Sequence, residues 1–338
     1  MLISMLMALN TASAYPTFAD SGFVVVPTAG TYTEGGVGAP TVAYDTVNGE
    51  YVMYFEYKIN ALPSTCATAY GIGRATSVDG LTWVKDASPV ITPDPANSLA
   101  KDHCVVSQPA VVYDEDTGVW HMLYGIAGKK ASAAATTNTD YGIAYATSTD
   151  GVTFTEVNFP AIPKTGTKAP SMASAVIFDD TLVVVYVDYP NLKQAEMPLS
   201  TGVWTYGNAA VDKTKLTWTS LWAFSPALVC DGLLDNHGWP DNHGVQYAML
   251  FGGDTTTGTR SLGFGGSPDA NTWFVGLDLV SSPAGSLNHW DILQADGDYL
   301  MWYSKDYTAT TKGIGLAHAD EDGSGGWNTA SNKYCPLN

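Results

Sequence analysis

A set of polar side chains in this chain falls where strands begin or end, and their types suit proton transfer and sugar binding. Glu56, Asp188, Asp254 and Asp306 each close an apolar, β-prone run, while Thr41, Gln108, Ser174, His289 and Asp291 stand at the starts of others. Two carboxyl groups at a suitable separation cleave a glycosidic bond, one as acid and the other as base or nucleophile. Asp188, Glu56 and Asp291 are therefore the expected proton-handling groups. Gln108 and His289 are expected to orient a sugar, with Thr41, Ser174, Asp254 and Asp306 as further contacts. Each carboxylate taken alone is more often a solvated loop residue; only a fold that gathers them at one mouth makes them a site.

A recurring phrase supplies that fold. Ala75-Thr-Ser-Val-Asp-Gly-Leu-Thr-Trp83 returns as Ala146-Thr-Ser-Thr-Asp-Gly-Val-Thr-Phe154, then as Gly266-Ser-Pro-Asp-Ala-Asn-Thr-Trp273. Looser copies are Pro198-Leu-Ser-Thr-Gly-Val-Trp204 and Ala319-Asp-Glu-Asp-Gly-Ser-Gly-Gly-Trp327. Gly supplies the positive φ of a tight turn, Asp caps it, and the aromatic packs on a sheet face. Self-similarity of this length marks a repeat architecture. Short runs rich in Val, Tyr, Phe and Trp precede each phrase, and no stretch has helical period, so the chain reads as all-β.

The expected architecture is a five-bladed β-propeller of four-stranded antiparallel blades, at about 38–95, 105–160, 170–207, 220–276 and 286–330, in one domain spanning 15–338. Phe23-Val-Val-Val-Pro27 is expected to pair with the last blade and close the ring. In such a ring the first strand of each blade lines the channel. The end of the second strand opens on the same face as the start of the first, which brings the polar set above to one mouth.

Composition narrows the partners. The chain carries 33 acidic against 15 basic residues, a formal charge of −18, and no basic patch, which argues against a nucleic-acid ligand. The acidity fits a soluble extracellular protein; no cofactor is required, and a structural Ca²⁺ is the ion its acidic loops could hold. Leu2-Ile-Ser-Met-Leu-Met-Ala-Leu9 followed by Ala12-Ser-Ala14 reads as a signal peptide over 1–14, too short to span a bilayer, and membrane insertion is not expected. Cys66, Cys104, Cys230 and Cys335 form no C-x-x-C pair and fit an oxidising compartment, with Cys66–Cys104 and Cys230–Cys335 as the expected disulfides. Asp235-Asn-His-Gly238 and Asp241-Asn-His-Gly244 offer Asp and His to a metal, yet the same tetrapeptide is plain turn chemistry.

Ala39-Pro-Thr-Val-Ala-Tyr-Asp45, Glu50-Tyr-Val-Met-Tyr-Phe55 and Gly71-Ile-Gly-Arg-Ala-Thr-Ser-Val-Asp-Gly-Leu-Thr-Trp83 resemble the blades of five-bladed glycoside hydrolases, the arabinanase, xylosidase and invertase superfamily of families 43 and 32. Asn288-His-Trp-Asp-Ile-Leu293 is similar to the last-blade segment of the arabinanase-like group. There an axial histidine contacts a bound ion through water, which implies the same for His289 and makes it the candidate contact to a Ca²⁺. Those hydrolases place an Asp before the Pro of two blades and a Glu at the start of another. The aligned positions here read Ala39-Pro40, Gln108-Pro109 and Ala173-Ser174, so the family's carboxylates are not matched. Two functions remain open: a secreted carbohydrate-active protein binding or hydrolysing a poly- or oligosaccharide in the central funnel, and a non-catalytic extracellular module that binds glycan or self-assembles.

Overall fold

The computed structural model describes residues 18–61, 66, 68–93, 104–127, 141–165, 168–216, 219, 221–230, 247–254, 260–269, 272–280, 288–295, 298–305, 313–319 and 334–335. These form antiparallel sheets, with a single 3-10 turn at Lys213–Lys215. After β1 (Ala19–Val25), the chain makes a meander of β2 (Val37–Asp45), β3 (Glu50–Lys58), β4 (Tyr70–Ser77) and the short β5 (Val84–Lys85). A second meander follows, of β6 (Val105–Asp114), β7 (Val119–Ala127), β8 (Tyr141–Ser148) and β9 (Thr155–Pro163). One parallel pair, Tyr70 with Val105, joins these two into an eight-stranded sheet.

The third meander is β10 (Ser171–Phe178), β11 (Thr181–Asp188), β12 (Asn191–Pro198) and β13 (Thr205–Val211). The fourth is β14 (Trp222–Cys230), β15 (Tyr247–Asp254), β16 (Arg260–Ser267) and β17 (Phe274–Val280). The last has β18 (Asn288–Ala295), β19 (Asp298–Lys305) and β20 (Gly313–Ala319), and its outer place is filled by β1, antiparallel to β20. A short β21 (Tyr334–Cys335) lies parallel to the far end of β10. The first strands touch in a cycle: β2 meets β6, β6 meets β10, β10 meets β14, β14 meets β18, and β18 returns to β2.

Packing explains why the central strands lack the in–out alternation of a one-sided sheet. In β3 every residue from Tyr51 to Tyr57 is buried, because each sheet has a neighbour on both faces. Trp302, Tyr51, Tyr54 and Tyr124 are among the largest fully buried side chains.

The repeated phrase is built alike in three meanders. The carboxylate of Asp79 accepts from the Ser77 hydroxyl and from the amides of Leu81 and Thr82 at 2.7–2.8 Å. Asp150 repeats this with Ser148, Val152 and Thr153, and Asp269 takes Ser267 and Thr272. Each turn also reaches the preceding sheet. Tyr54 donates to the carbonyl of Gly151 at 2.6 Å, Trp302 to that of Gly80 at 3.3 Å, Trp204 to Asn158 and Trp273 to Gln194. The aromatic that ends the phrase is thus a joint between sheets.

Side chains also stitch the first strands together. Asp291 of β18 accepts from the Val42 amide (2.7 Å) and the Thr41 hydroxyl (2.9 Å) of β2. Thr41 in turn accepts from the Val111 amide of β6 (3.1 Å), and Ser174 of β10 from the Leu228 amide of β14 (2.9 Å). These groups are buried, where a lost partner strands an amide at a cost of about 1–3 kcal/mol.

Thr41→Val is therefore expected to lower unfolding free energy by about 1–3 kcal/mol, with Thr41→Ser much closer to the parent, as read by chemical denaturation. Gly151 (φ +66°) and Gly202 (φ +65°) give a second comparison: a Cβ at Gly151 meets Trp120 and Tyr54 at 3.1 Å, whereas nothing lies within 4 Å of one at Gly202. Gly151→Ala should cost more than Gly202→Ala by about 1 kcal/mol or more in the same assay.

Candidate functional site

Each first strand breaks its ladder once, between Gly38 and Thr41, Ser107 and Ala110, Ser171 and Ser174, Phe224 and Ala227, and Asn288 and Trp290. A non-glycine residue in left-handed conformation occupies every break: Ala39 (φ 44°), Gln108 (51°), Met172 (49°), Ser225 (45°) and His289 (45°). Such backbone is uncommon outside Gly, and a bulge is a device for re-aiming a side chain. Its recurrence at one level of every first strand makes it a built ring. These residues and their successors, Pro40, Pro109, Ala173, Pro226 and Trp290, line an axial pocket of about 20 Å³. Proline suits a place where the ladder asks for no amide. The pocket has room for about one water molecule and not for a sugar ring.

Gln108 and His289 meet across this pocket, their Nε2 atoms 2.9 Å apart. The Met172 amide donates to Gln108 Oε1 (3.2 Å), which fixes the amide's orientation and leaves its NH₂ to donate to His289. His289 Nε2 is therefore the acceptor, and the neutral ring carries its proton on Nδ1. Loss of hydration, with the Arg260 guanidinium adding to it, brings the His289 pKa down to about 4. Arg260 is held by Asp254 (Nε to Oδ1, 3.2 Å) and by Asn288, over the ring of Phe224.

The other expected residues are distributed differently. Thr41, Ser174 and Asp291 stand two positions beyond the ring residues and turn to the neighbouring strand as stitches, so the structure corrects their expected place at the funnel lining. Glu56 is buried opposite Gly38, level with the ring. The matching places on β7, β11, β15 and β19 are Gly125, Val187, Gly252 and Ser304. Asp188 thus sits one residue further out, on the opposite sheet face, and pairs with Lys193 at 2.6 Å. Asp254 sits two further out, bound to Arg260 and to the Trp222 indole (3.0 Å). The ring residue of the third strand is Met172, not the expected Ala173, since no proline marks the bulge there.

Asp306 and the two Asp-Asn-His-Gly segments lie outside the described residues. Among the described residues no group of three or more His, Cys, Asp or Glu is placed to hold a metal ion, and His289 has a guanidinium for a neighbour rather than a carboxylate cage. Cys66 and Cys104 are joined, with Cα atoms 5.6 Å apart, tying the first meander to the second on the mouth side. Cys230 is also disulfide-bonded.

An aromatic run was missed. Tyr189, 38% exposed, leads through Trp222 and Phe224 to Trp290 at the axis, with successive ring centroids 5.8, 5.1 and 5.7 Å apart. Its sequence signal was the Trp222-Ala-Phe224 alternation. Arg260, likewise missed, opens β16 with no local pattern to mark it.

No protein-family model matches the chain, and no curated protein sequence does so. Solved structures do. The chain is similar to a glycosyl hydrolase from Bacteroides ovatus (16% identity, TM-score 0.64, covering 93% of this chain and 96% of that one). It is also similar to a structure from the mannoside phosphorylase family containing glycoside hydrolases that target β-1,2 mannosidic linkages in Candida mannan (13%, 0.68, 94% and 97%). A third is an α-L-arabinofuranosidase from Podospora anserina in complex with cellotriose (15%, 0.59, 91% and 98%). At these identities the likeness is one of fold alone.

Proposed function

We propose that this chain is a secreted, five-bladed β-propeller that binds a neutral poly- or oligosaccharide at its axial mouth without cleaving it. The observation that carries the reading is the ring itself: Ala39, Gln108, Met172, Ser225 and His289 include no carboxylate. Acid–base cleavage of a glycosidic bond needs two. Asp188 and Asp254 are each held by a cation, and Asp291 is committed to the β2 backbone. What lies at the mouth is an amide and a neutral imidazole, with the exposed Tyr189 and half-buried Trp222 on one side, a set suited to hydroxyls and to the apolar face of a sugar. The glycan lies over the mouth, since the pocket below admits no ring. The Cys66–Cys104 disulfide supports an oxidising, extracellular or periplasmic compartment. No helix among the described residues is long and apolar enough to cross a membrane.

A second reading is favoured by Glu56 alone, a buried carboxyl at ring level. There the protein hydrolyses its ligand and Glu56 moves the proton. Arabinan, xylan, fructan, mannan and agar oligosaccharides, each assayed for binding and for new reducing ends, separate the two. Binding without product is expected, with Gln108→Ala or His289→Ala weakening it about tenfold, near 1.4 kcal/mol. Product release that disappears in Glu56→Gln would replace the binding reading with the hydrolytic one.

The binding should also follow the His289 titration. A proton on Nε2 removes the acceptor for Gln108, so the competent form is the neutral one. With a pKa of about 4, affinity should be flat from pH 8 to 5 and about twofold weaker at pH 4. Titration calorimetry across that range checks this, and His289→Gln should abolish the acid limb.

A further inference from the structure

A cavity larger than the axial pocket lies away from the axis. A cleft of about 390 Å³ opens between the second and third meanders, within the range of about 300–1,000 Å³ typical of small-molecule sites. Its walls include the β6–β7 turn at Asp114–Val119, the β10–β11 turn at Asp180 and the β12–β13 turn around Ser200. These turns stand at the ends of strands remote from the ring residues, so the cleft lies on the face opposite the mouth.

Its inner wall holds His121, only 5% exposed. The Tyr145 hydroxyl is 2.7 Å from His121 Nδ1, with the two rings nearly parallel. Among the described residues His121 Nε2 has no hydrogen-bond partner. Asp114 Oδ2 lies 4.0 Å away, too far for a direct bond. Asp114 is itself held by the amides of Asp116 and Thr117 and by the Thr117 hydroxyl, so it cannot swing closer without breaking its own turn. The fixed carboxylate facing Nε2 favours the tautomer with its hydrogen there, in which the Tyr145 hydroxyl donates to Nδ1. An oxygen about 2.8 Å from each would accept from Nε2–H and donate to Asp114. A water or a ligand hydroxyl does both; an anion, a carbonyl or a metal ion does not.

We propose that this cleft is a second ligand site, and that it takes a neutral sugar ring, one hydroxyl of which bridges His121 and Asp114. The rest of the lining agrees. Among the described residues it holds no Lys or Arg to attract an anion, and Met197 and Leu199 offer an apolar wall to the ring's C–H face. Desolvation keeps His121 neutral, its pKa lowered to about 4, so the donor keeps one form through the neutral range. The site is independent of the axial mouth and stands or falls without it.

The test is nitrogen-detected NMR of the His121 imidazole in the full chain, titrated with D-xylose, L-arabinose, D-mannose and D-galactose. At least one sugar should shift the His121 ring signals saturably. Asp114→Asn should weaken that response about tenfold. Ser200→Trp, at an exposed turn, should block it while leaving the unfolding midpoint unchanged, which covers the case in which a variant at Asp114 fails to fold. His289→Ala, which removes the mouth contact, should leave it intact. The proposal is overturned if no sugar moves the His121 signals, if the response survives Ser200→Trp, or if calcium or sulfate moves them where sugars do not.

Discussion

Closing first strands into a ring sets one constraint that the rest must meet. Neighbouring first strands contact one another without a continuous ladder, so amides that face the gap between sheets have no strand to bond. A buried amide left in that state is costly. Asp291, Thr41 and Ser174 answer it by lending a side-chain oxygen to the amide of the next strand, at Val42, Val111 and Leu228. Ser304 does the same for the Ala39 amide at 2.7 Å. At the other two equivalent places stand Ala110 and Ala227, too short to reach. The ring is therefore stitched unevenly, with the run from β18 through β2 to β6 the most continuous.

That constraint also explains what could be read in advance. The recurring Asp-Gly turns were legible because their chemistry is local: one carboxylate, two amides, one hydroxyl, all within a few residues. The all-β strands were legible from their composition. The stitches were not, because a Thr, a Ser and an Asp near strand starts look the same whether they face a channel or a neighbour's backbone. The difference is two residues along an extended strand with a bulge between, and a bulge shifts facing by one position. Proline advertised that bulge at Pro40, Pro109 and Pro226. Met172 had no such flag, and there the alignment slipped by one.

The carboxylates failed to converge for a related reason. Glu56, Asp188 and Asp254 each end a run of similar length, which suggests one level. Register sets them at successive levels, and with side chains alternating across a sheet, Asp188 faces opposite to the other two. Each then met its own need locally, Asp188 with Lys193 and Asp254 with Arg260 and Trp222. Run length in sequence cannot supply register, because register depends on where the partner strand bulges.

The division between stitch and ring has a consequence for chemistry. Side chains that hold the first strands together sit two residues from those that face the axis, so the two roles are carried by different positions. The side chain at a ring position, here Ala39, Gln108 or Met172, can be exchanged without removing a stitch, so the frame does not dictate the chemistry shown at the axis. The reverse exchange is harder: Asp291 bonds two groups of β2, and no ring residue can take its place. The five positive-φ residues line one axial pocket, with Gln108 and His289 as its hydrogen-bonding pair.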